Sequence, residues 1–587
     1  MGRLDDARLV DLRLYRWAFI PALVAFVTMM FSLQGVPDGD EPVAPTGAFD
    51  GEQATALARQ ILRNAPAREA GTEGDAAAAS IVAERFRAIP AGSVSEQSFT
   101  AELDGDDTEL RNVLVTVPGD PNHTIAVIAA RDAPRGEGAA SSAAATGVLV
   151  ELAETLGAAG HDSTFVLAST TAGVAGAEAF VQELPSRETI DSLIIISQPG
   201  APDPRPPFAL ITSTDTRKGS VALRASAEAA VESQAGESTP GESGFEQLAR
   251  LAFPSGIGEQ APLVADGVNV VRISGAGERA LDPAEDEADD LTPASVDSFG
   301  RSVHSLVGSL DLGPELPPSP DTYIEVSGNL VPGWTLSLLA LALLLPALVA
   351  AVDAGARVAR RGGELAPALT WAAVRALPFI GALATLYALA AIGVVPRPDF
   401  PFDPGQYPLG ARALISLALI VIVGAASAYL LRRFGVTGAR APGGTVAAIG
   451  GVAVVALLIL WLANPYAALL AVPAAHAWVA ADGTPSRRRA AVTVVIAAVA
   501  TLPIVAALGA VSGALELGGD APWTLALMVA DGQIGFGLVL AGCFAAGSLT
   551  AAAALAIGEG GVLPAPFRRD LEADLRLDEA PGDSDDR

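Results

Sequence analysis

The chain offers few side chains capable of chemistry, and their spacing limits what they can do. It has four histidines, His123, His161, His304 and His476, and one cysteine, Cys543, among 587 residues. The stretch IAVIAARDAPRGEGAASSAAATGVLVELAETL, Ile125 to Leu156, reads as a hydrophobic strand, a small-residue loop and an amphipathic helix. Ligands of α/β proteins collect in loops of this kind, at the carboxyl end of a strand. Here the loop is Ala, Ser and Gly around a single carboxylate, Asp132. A co-catalytic pair of zinc ions needs about three protein ligands per ion from His, Asp, Glu or Cys, and a lone carboxylate cannot hold two. No Gly-x-Ser-x-Gly elbow, and no neighbouring Ser/His/Asp set, supplies a nucleophile instead.

The elements around this loop alternate. GEQATALARQILRN and AAASIVAERFRAI have helical periodicity, and 147–157 and 174–184 are further helical segments. NVLVTVPG, TIAVIAARD, STFVLAST, SLIIISQPG, FALITST and VNVVRISG are short β-rich runs. The region 279–313 gives an acidic loop and a closing helix. Strands alternating with helices predict an α/β domain: a mixed or largely parallel sheet with helices on both faces.

The order of these pieces over residues 50–313 resembles the di-zinc aminopeptidase family, peptidase family M 28. NAPAREAGTEGDAAAASIVAERFRAI is similar to that family's opening helix, glycine turn and second helix. RNVLVTVPG is similar to its Asn-Val strand, ATGVLVELAETL to the helix after the metal loop, and TFVLASTTAGVAGAEAFVQEL to the strand and helix carrying the catalytic glutamates. GIGEQAPLVADGVNVVRIS and EDEADDLTPASVDSFGRSV resemble the last strand and the closing helix. The resemblance also says where the family's ligands would fall. The His-x-Asp pair falls on Ala130 and Asp132, the bridging Asp on Ala143, and the Glu-Glu pair on Thr170 and Thr171. The next Asp falls on Ser197 or Gln198, and the last His near Leu281 or Asp282. Only Asp132 retains a ligand type. The expectation is therefore a vestigial site with no catalytic set, no metal and no cofactor. Asp132 is expected to serve as a cap or ion-pair residue with Arg131 or Arg135.

The rest of the chain is apolar. Apolar runs lie at 17–34, 334–353, 376–395, 412–431, 445–463, 466–481, 490–511 and 534–557, about eight spans in an all-α membrane domain. The expected division is a cytoplasmic N-terminus at 1–16, an uncleaved anchor at 17–34 and a linker at 35–49. The domain at 50–313, a linker at 314–333, seven helices within 334–557 and an acidic cytoplasmic tail at 558–587 follow. Arg357, Arg360 and Arg361, then Arg432 and Arg433, Arg487 to Arg489, and Arg568 and Arg569 follow alternate spans. The positive-inside rule then predicts a multi-pass plasma-membrane protein with both termini cytoplasmic and 35–333 extracytoplasmic. Three polar residues at membrane depth, Asn464, His476 and Asp531, are functional candidates by default, with an interhelical hydrogen bond as the simpler role for the histidine.

Charge narrows the partners. Between Val36 and Leu330 there are 46 Asp and Glu against 17 Lys and Arg, so the whole net charge of −29 lies on this domain. Such a surface repels nucleic acid. A cleft at the strand ends could still take a peptide or glycan by shape, or meet another envelope protein. One span, a peptidase-like domain and seven further spans also resemble the layout of the Gaa subunit of GPI transamidase, an analogy of fold and topology only. The expected function is a non-catalytic binding or scaffold subunit of an envelope complex. The alternatives are a zinc peptidase with relocated ligands, and a transporter or lipid-handling protein.

Overall fold

The structure is a computed structural model. It describes residues 10–556, except 38, 44–46, 104, 135, 184–189, 202–205, 238, 240, 435–443 and 481–486. The predicted tail, Arg135, Arg568 and Arg569 lie outside the described residues, as do Arg3 and Arg8.

Ten strands are described: β1 (Gln34–Gly35), β2 (Ser93–Leu103), β3 (Asp106–Val117), β4 (Asp120–Ala130), β5 (Ser163–Thr170), β6 (Ile190–Ser197), β7 (Phe208–Leu210), β8 (Val270–Ser274), β9 (Tyr323–Val326) and β10 (Asn329–Pro332). Seven form a mixed sheet in the order β2-β3-β5-β4-β6-β8-β7. The central strands β5, β4, β6 and β8 are parallel to one another, and the edges are antiparallel. Parallel strands covered on both faces read as continuous apolar runs, as IAVIA in β4 does. Alternate residues face different cores. Ile125, Val127 and Ala129 pack with the helices Gly51–Asn64 and Ala144–Ala158. Ala126 and Ile128 pack with Phe180 and Val181 of the helix Val174–Glu183. Asp50 caps the helix Gly51–Asn64 by accepting from the amides of Glu52 and Gln53. Leu57 and Ile61 then fall on one buried face.

The sequence patterns miss β2. SVSEQSFTAEL is a solvated edge strand whose side chains are mostly exposed or half-buried, so it carries no apolar run.

Among the described residues, seven helices are long and apolar enough to cross a membrane: Leu12–Phe31, Gly333–Arg360, Ala366–Ala391, Ala411–Phe434, Gly444–Ala463, Ala491–Ala514 and Phe536–Ala556. The expected run 466–481 falls short of that length. It is the helix Pro465–Ala477, 13 residues, followed by a 3₁₀ turn at Trp478–Ala480. The expected first span, 17–34, shifts to Leu12–Phe31 because Gln34 and Gly35 leave the helix and pair with Leu330 and Asn329. The segment 314–333, expected as a linker, holds β9 and β10, which join β1 in a small antiparallel sheet. WTLALMVADGQIG, before the last span, contributes to a separate helix, Ala521–Asp531.

The two halves share a core. Ala249, Leu251, Ala252 and Ile257 of the α/β domain lie in one apolar cluster with Met29, Leu344, Trp371 and Leu457 of the helical domain.

Candidate functional site at the strand ends

Because β4, β5, β6 and β8 run parallel, their carboxyl ends lie along one edge of the sheet. Ala130 ends β4 opposite Thr170, the end of β5. Ser197 ends β6 opposite Ser274, the end of β8. The small-residue loop continues into a π-helical turn, Ala139–Ala143, that opens the helix Ala144–Ala158. Gly200 N–H donates to Ala140 O at 2.9 Å, which fixes that turn beside the end of β6. The topology thus brings Ala130, Thr170, Thr171, Ser197 and the turn holding Ala143 to the same edge as Asp132. Leu281 and Asp282 lie beyond β8, where Asp282 caps the 3₁₀ turn Pro283–Glu285.

Several of these positions make structural hydrogen bonds. Thr171 N–H donates to Asn112 Oδ1 at 3.2 Å, and the Asn112 amide donates to Gln97 Oε1 and Gly176 O, both at 2.9 Å. Ser197 Oγ accepts from Arg272 Nη2 at 3.0 Å. Gln198 takes a left-handed backbone, φ 56°, and donates to Arg279 O at 2.9 Å.

Two buried arginines occupy the neighbourhood of Asp132. Arg131, with 0% exposure, donates to Ser169 O at 2.9 Å and Arg111 O at 2.7 Å. Its Nε lies 2.7 Å from Asp75 Oδ1, a charge contact without hydrogen-bond alignment. Arg68, also 0% exposed, donates to Arg131 O, Ala65 O, Gly138 O and Ser142 Oγ. Gly138 makes this seat possible. Its φ is +58°, and an added Cβ would stand 2.9 Å from Arg68 Nη2 and 2.6 Å from Ser142 Oγ. Asp286 closes the turn by accepting from the amides of Ala140 at 2.8 Å and Ser141 at 3.0 Å, and from the Ser141 hydroxyl. The loop's amides therefore already hold a carboxylate of the chain itself.

Of the two partners expected for Asp132, Arg131 turns to Asp75 instead and Arg135 lies outside the described residues; among the described residues Asp132 Oδ1 has no hydrogen-bond partner. Burial raises the Asp132 carboxyl to about 6, with the Asp75 charge adding and Arg131 opposing. Arg68, Asp75 and Asp286 escape the sequence patterns. Arg68 reads as part of a polar turn, and Asp286 is one of six acids between 282 and 290.

These residues do not fit a two-zinc centre. The strand ends supply alkyl and hydroxyl groups, and no group of three His, Cys, Asp or Glu is placed to hold a metal ion among the described residues.

The likeness to known folds can now be stated. Solved structures similar to this chain are glutaminyl cyclases and zinc aminopeptidases. Glutaminyl cyclase from an Acidobacteriales bacterium is 18% identical, with 47% of this chain and 99% of that chain covered and a TM-score of 0.36. For the Fimbriiglobus ruber glutaminyl cyclase the values are 14%, 46%, 98% and 0.38. For BSAP, a zinc aminopeptidase from Bacillus subtilis, they are 13%, 46%, 99% and 0.37. No protein-family model matches the chain, and no curated protein matches it.

The polar candidates in the helical domain are all engaged. Asn464 caps the helix Pro465–Ala477 through the amides of Tyr466 and Ala467, both at 2.9 Å. Its own amide donates to Leu251 O and Ala252 O of the α/β domain. His476 Nε2 lies 3.0 Å from Leu343 O and Nδ1 2.8 Å from Tyr15 Oη. A carbonyl only accepts, so Nε2 carries the proton and Nδ1 accepts from Tyr15. Phe19 stacks on the ring. Asp531 ends the helix Ala521–Asp531 beside the backbone of Phe400.

Proposed function

We propose that the chain is a non-catalytic, membrane-anchored binding or scaffold subunit of an envelope complex, with a peptidase-like domain outside the plasma membrane and both termini in the cytoplasm, an orientation that requires Pro465–Ala477 and the turn after it to cross as a short eighth span beside the seven longer helices. The observation that carries this reading is the pair of buried guanidinium groups, Arg68 and Arg131, hydrogen-bonded into the strand-end site beside Asp132. A metallopeptidase lowers the pKa of a metal-bound water to about 7 and uses a carboxylate as general base. Here Thr170 and Thr171 stand where the resemblance puts that base, and fixed cations stand beside the remaining acid. The shared apolar core supports the scaffold role, because it couples the outer domain to the membrane helices as one packed unit. The recognised partner is a peptide, a glycan or another envelope protein.

Metal analysis of the purified full chain, with an aminopeptidase assay in added zinc, tests this. The expected result is substoichiometric zinc and no hydrolysis. Stoichiometric zinc with hydrolysis abolished by Asp132→Ala would overturn the proposal and restore the enzyme.

A further inference from the structure

A cavity of about 310 Å³ lies where the α/β domain meets the end of the helix Leu502–Ala514. That volume is at the lower end of the range of small-ligand sites. None of the six strand-end positions lines it. Phe208, Leu210 and Ile211 form one apolar wall, and Ala514 and Leu515 of the helical domain form another. The polar wall carries Lys218, the only lysine in the chain.

The cations around this cavity differ in how they are matched. Arg224 is paired with Glu228 at 2.8 Å and with Glu325. Arg250 is paired with Glu278 at 2.9 Å and with Glu242. Arg279 has Asp403 at 3.9 Å and donates to Glu516 O at 3.0 Å. Lys218 has no carboxylate partner among the described residues. Its ammonium donates to the neutral Gln247 Oε1 at 2.9 Å and sits 4.9 Å over the Tyr323 ring. An ammonium has three donors, so one amide leaves it under-satisfied. Burial pulls Lys218 down to about 8, with the charges of Glu242 and Glu325 opposing and those of Arg224 and Arg250 adding.

We infer that this cavity binds a carboxylate carried on a short apolar body, with the charged head on Lys218 and the body between β7 and Leu515. A single unmatched cation calls for a single negative charge. The glutamates already around it, Glu228, Glu242 and Glu278, disfavour a dianion such as a phosphate monoester. The apolar walls select against a small hydrophilic acid. This site is independent of whether the strand ends are catalytic.

The single lysine makes the test clean, because an amine-acetylating reagent has one side-chain target besides the N-terminus. The full chain, in nanodiscs, is acetylated over a pH series, and Lys218 is followed by mass spectrometry. Two carboxylates are tried, octanoate and the N-acetylated tripeptide acetyl-Ala-Leu-Leu, each beside its uncharged counterpart, octanol and the N-acetylated tripeptide amide. At least one acid should slow Lys218 acetylation about tenfold and move its labelling profile to higher pH, while both neutral counterparts leave it unchanged. Protection by octanoate assigns the carboxylate to a fatty acid, and protection by the peptide alone assigns it to a chain terminus. Octanoate or peptide binding measured by equilibrium dialysis should fall at least tenfold in Lys218→Gln and survive in Lys218→Arg. Equal protection by acid and neutral forms, or none by either acid at millimolar concentration, overturns the inference.

Discussion

Removing the Asp132 charge should stabilise the α/β domain, and the effect should depend on pH. The substitution is Asp132→Asn. The folded carboxyl titrates at about 6 against an ordinary value of 3.8. A group held above its unfolded value keeps a proton that the unfolded chain has already lost. Stability contributed by that proton is therefore complete below about pH 4 and is lost as pH rises through 6. With about 1.36 kcal/mol per pKa unit, ionising Asp132 costs the fold at most about 3 kcal/mol. The amide variant lacks this cost. It should match the wild type near pH 4 and exceed it by about 1–3 kcal/mol at pH 8. Intrinsic fluorescence will not report this, because all six tryptophans lie outside 35–333. Amide hydrogen exchange of peptides covering β4 and β5, in the solubilised full chain, reads it directly. At pH 8 those peptides should exchange about ten- to a hundredfold more slowly in the variant, since about 1.4 kcal/mol is a factor of ten. Faster exchange in the variant at pH 8 would show that the carboxylate anchors Arg131 or Arg68, and the argument from burial would fail.

Gly138→Ala should cost about 2–4 kcal/mol, because a side chain there is strained at φ +58° and displaces Arg68; exchange in the turn Ala139–Ala143 should rise with no change in the helical domain. Asn464→Ala removes a helix cap and both bonds to the α/β domain, so it should cost about 1–3 kcal/mol and loosen the carboxyl end of the helix Gly244–Ala252, visible by exchange. His476→Leu should lower the tryptophan-detected melting temperature by the equivalent of about 1–2 kcal/mol through the orphaned Tyr15 hydroxyl and Leu343 carbonyl, and proton flux into liposomes should not change. Reporter fusions after Gly35, Arg397 and Gly519 should read outside and those after Arg361, Gly438 and Arg489 inside; one inverted site would break the orientation at that loop.

The central strands, the helices between them and most of the membrane spans are legible in the sequence because each is a local pattern. IAVIA and FVLA are apolar enough to be buried on both faces, and the helix after the loop shows Val148, Leu149, Leu152 and Leu156 on one side. What is not legible depends on long-range placement. β2 is paired to β3 along its whole length but faces solvent, so no periodic apolar signal marks it. The strands β9 and β10 sit in a stretch of Pro, Ser and Gly that reads as a linker, and only their pairing with β1 makes them a sheet. Pro465–Ala477 is apolar like the spans around it, and only its early end at a 3₁₀ turn sets it apart. Arg131 illustrates the same limit at the site. Its neighbour in sequence is Asp132, but its charge contact is Asp75, 56 residues away, because the side chain leaves the strand end on the side of the second helix.

The empty loop that opens the sequence also finds its physical account in those arginines. A loop that holds metal ions is organised by them, and without them its amides and carboxylates must be satisfied from within the protein. In this chain Asp286 takes the amides of Ala140 and Ser141, Arg68 takes the carbonyl of Gly138 and the hydroxyl of Ser142, and Arg131 takes the carbonyls of Arg111 within β3 and Ser169 near the end of β5. Small residues are what let a guanidinium group reach so deep: Gly138 leaves no room for a Cβ, and Ala139, Ala140 and Ala143 are themselves buried. The site is therefore packed for its own stability. The polar atoms there that lack hydrogen bonds, among them Asp132 Oδ1 and Thr171 Oγ1, are buried, whereas Lys218 lines an open cavity with no carboxylate partner among the described residues. If the α/β domain binds a ligand, the junction with the helical domain offers an open cavity lined by an unpaired cation, which the strand ends do not.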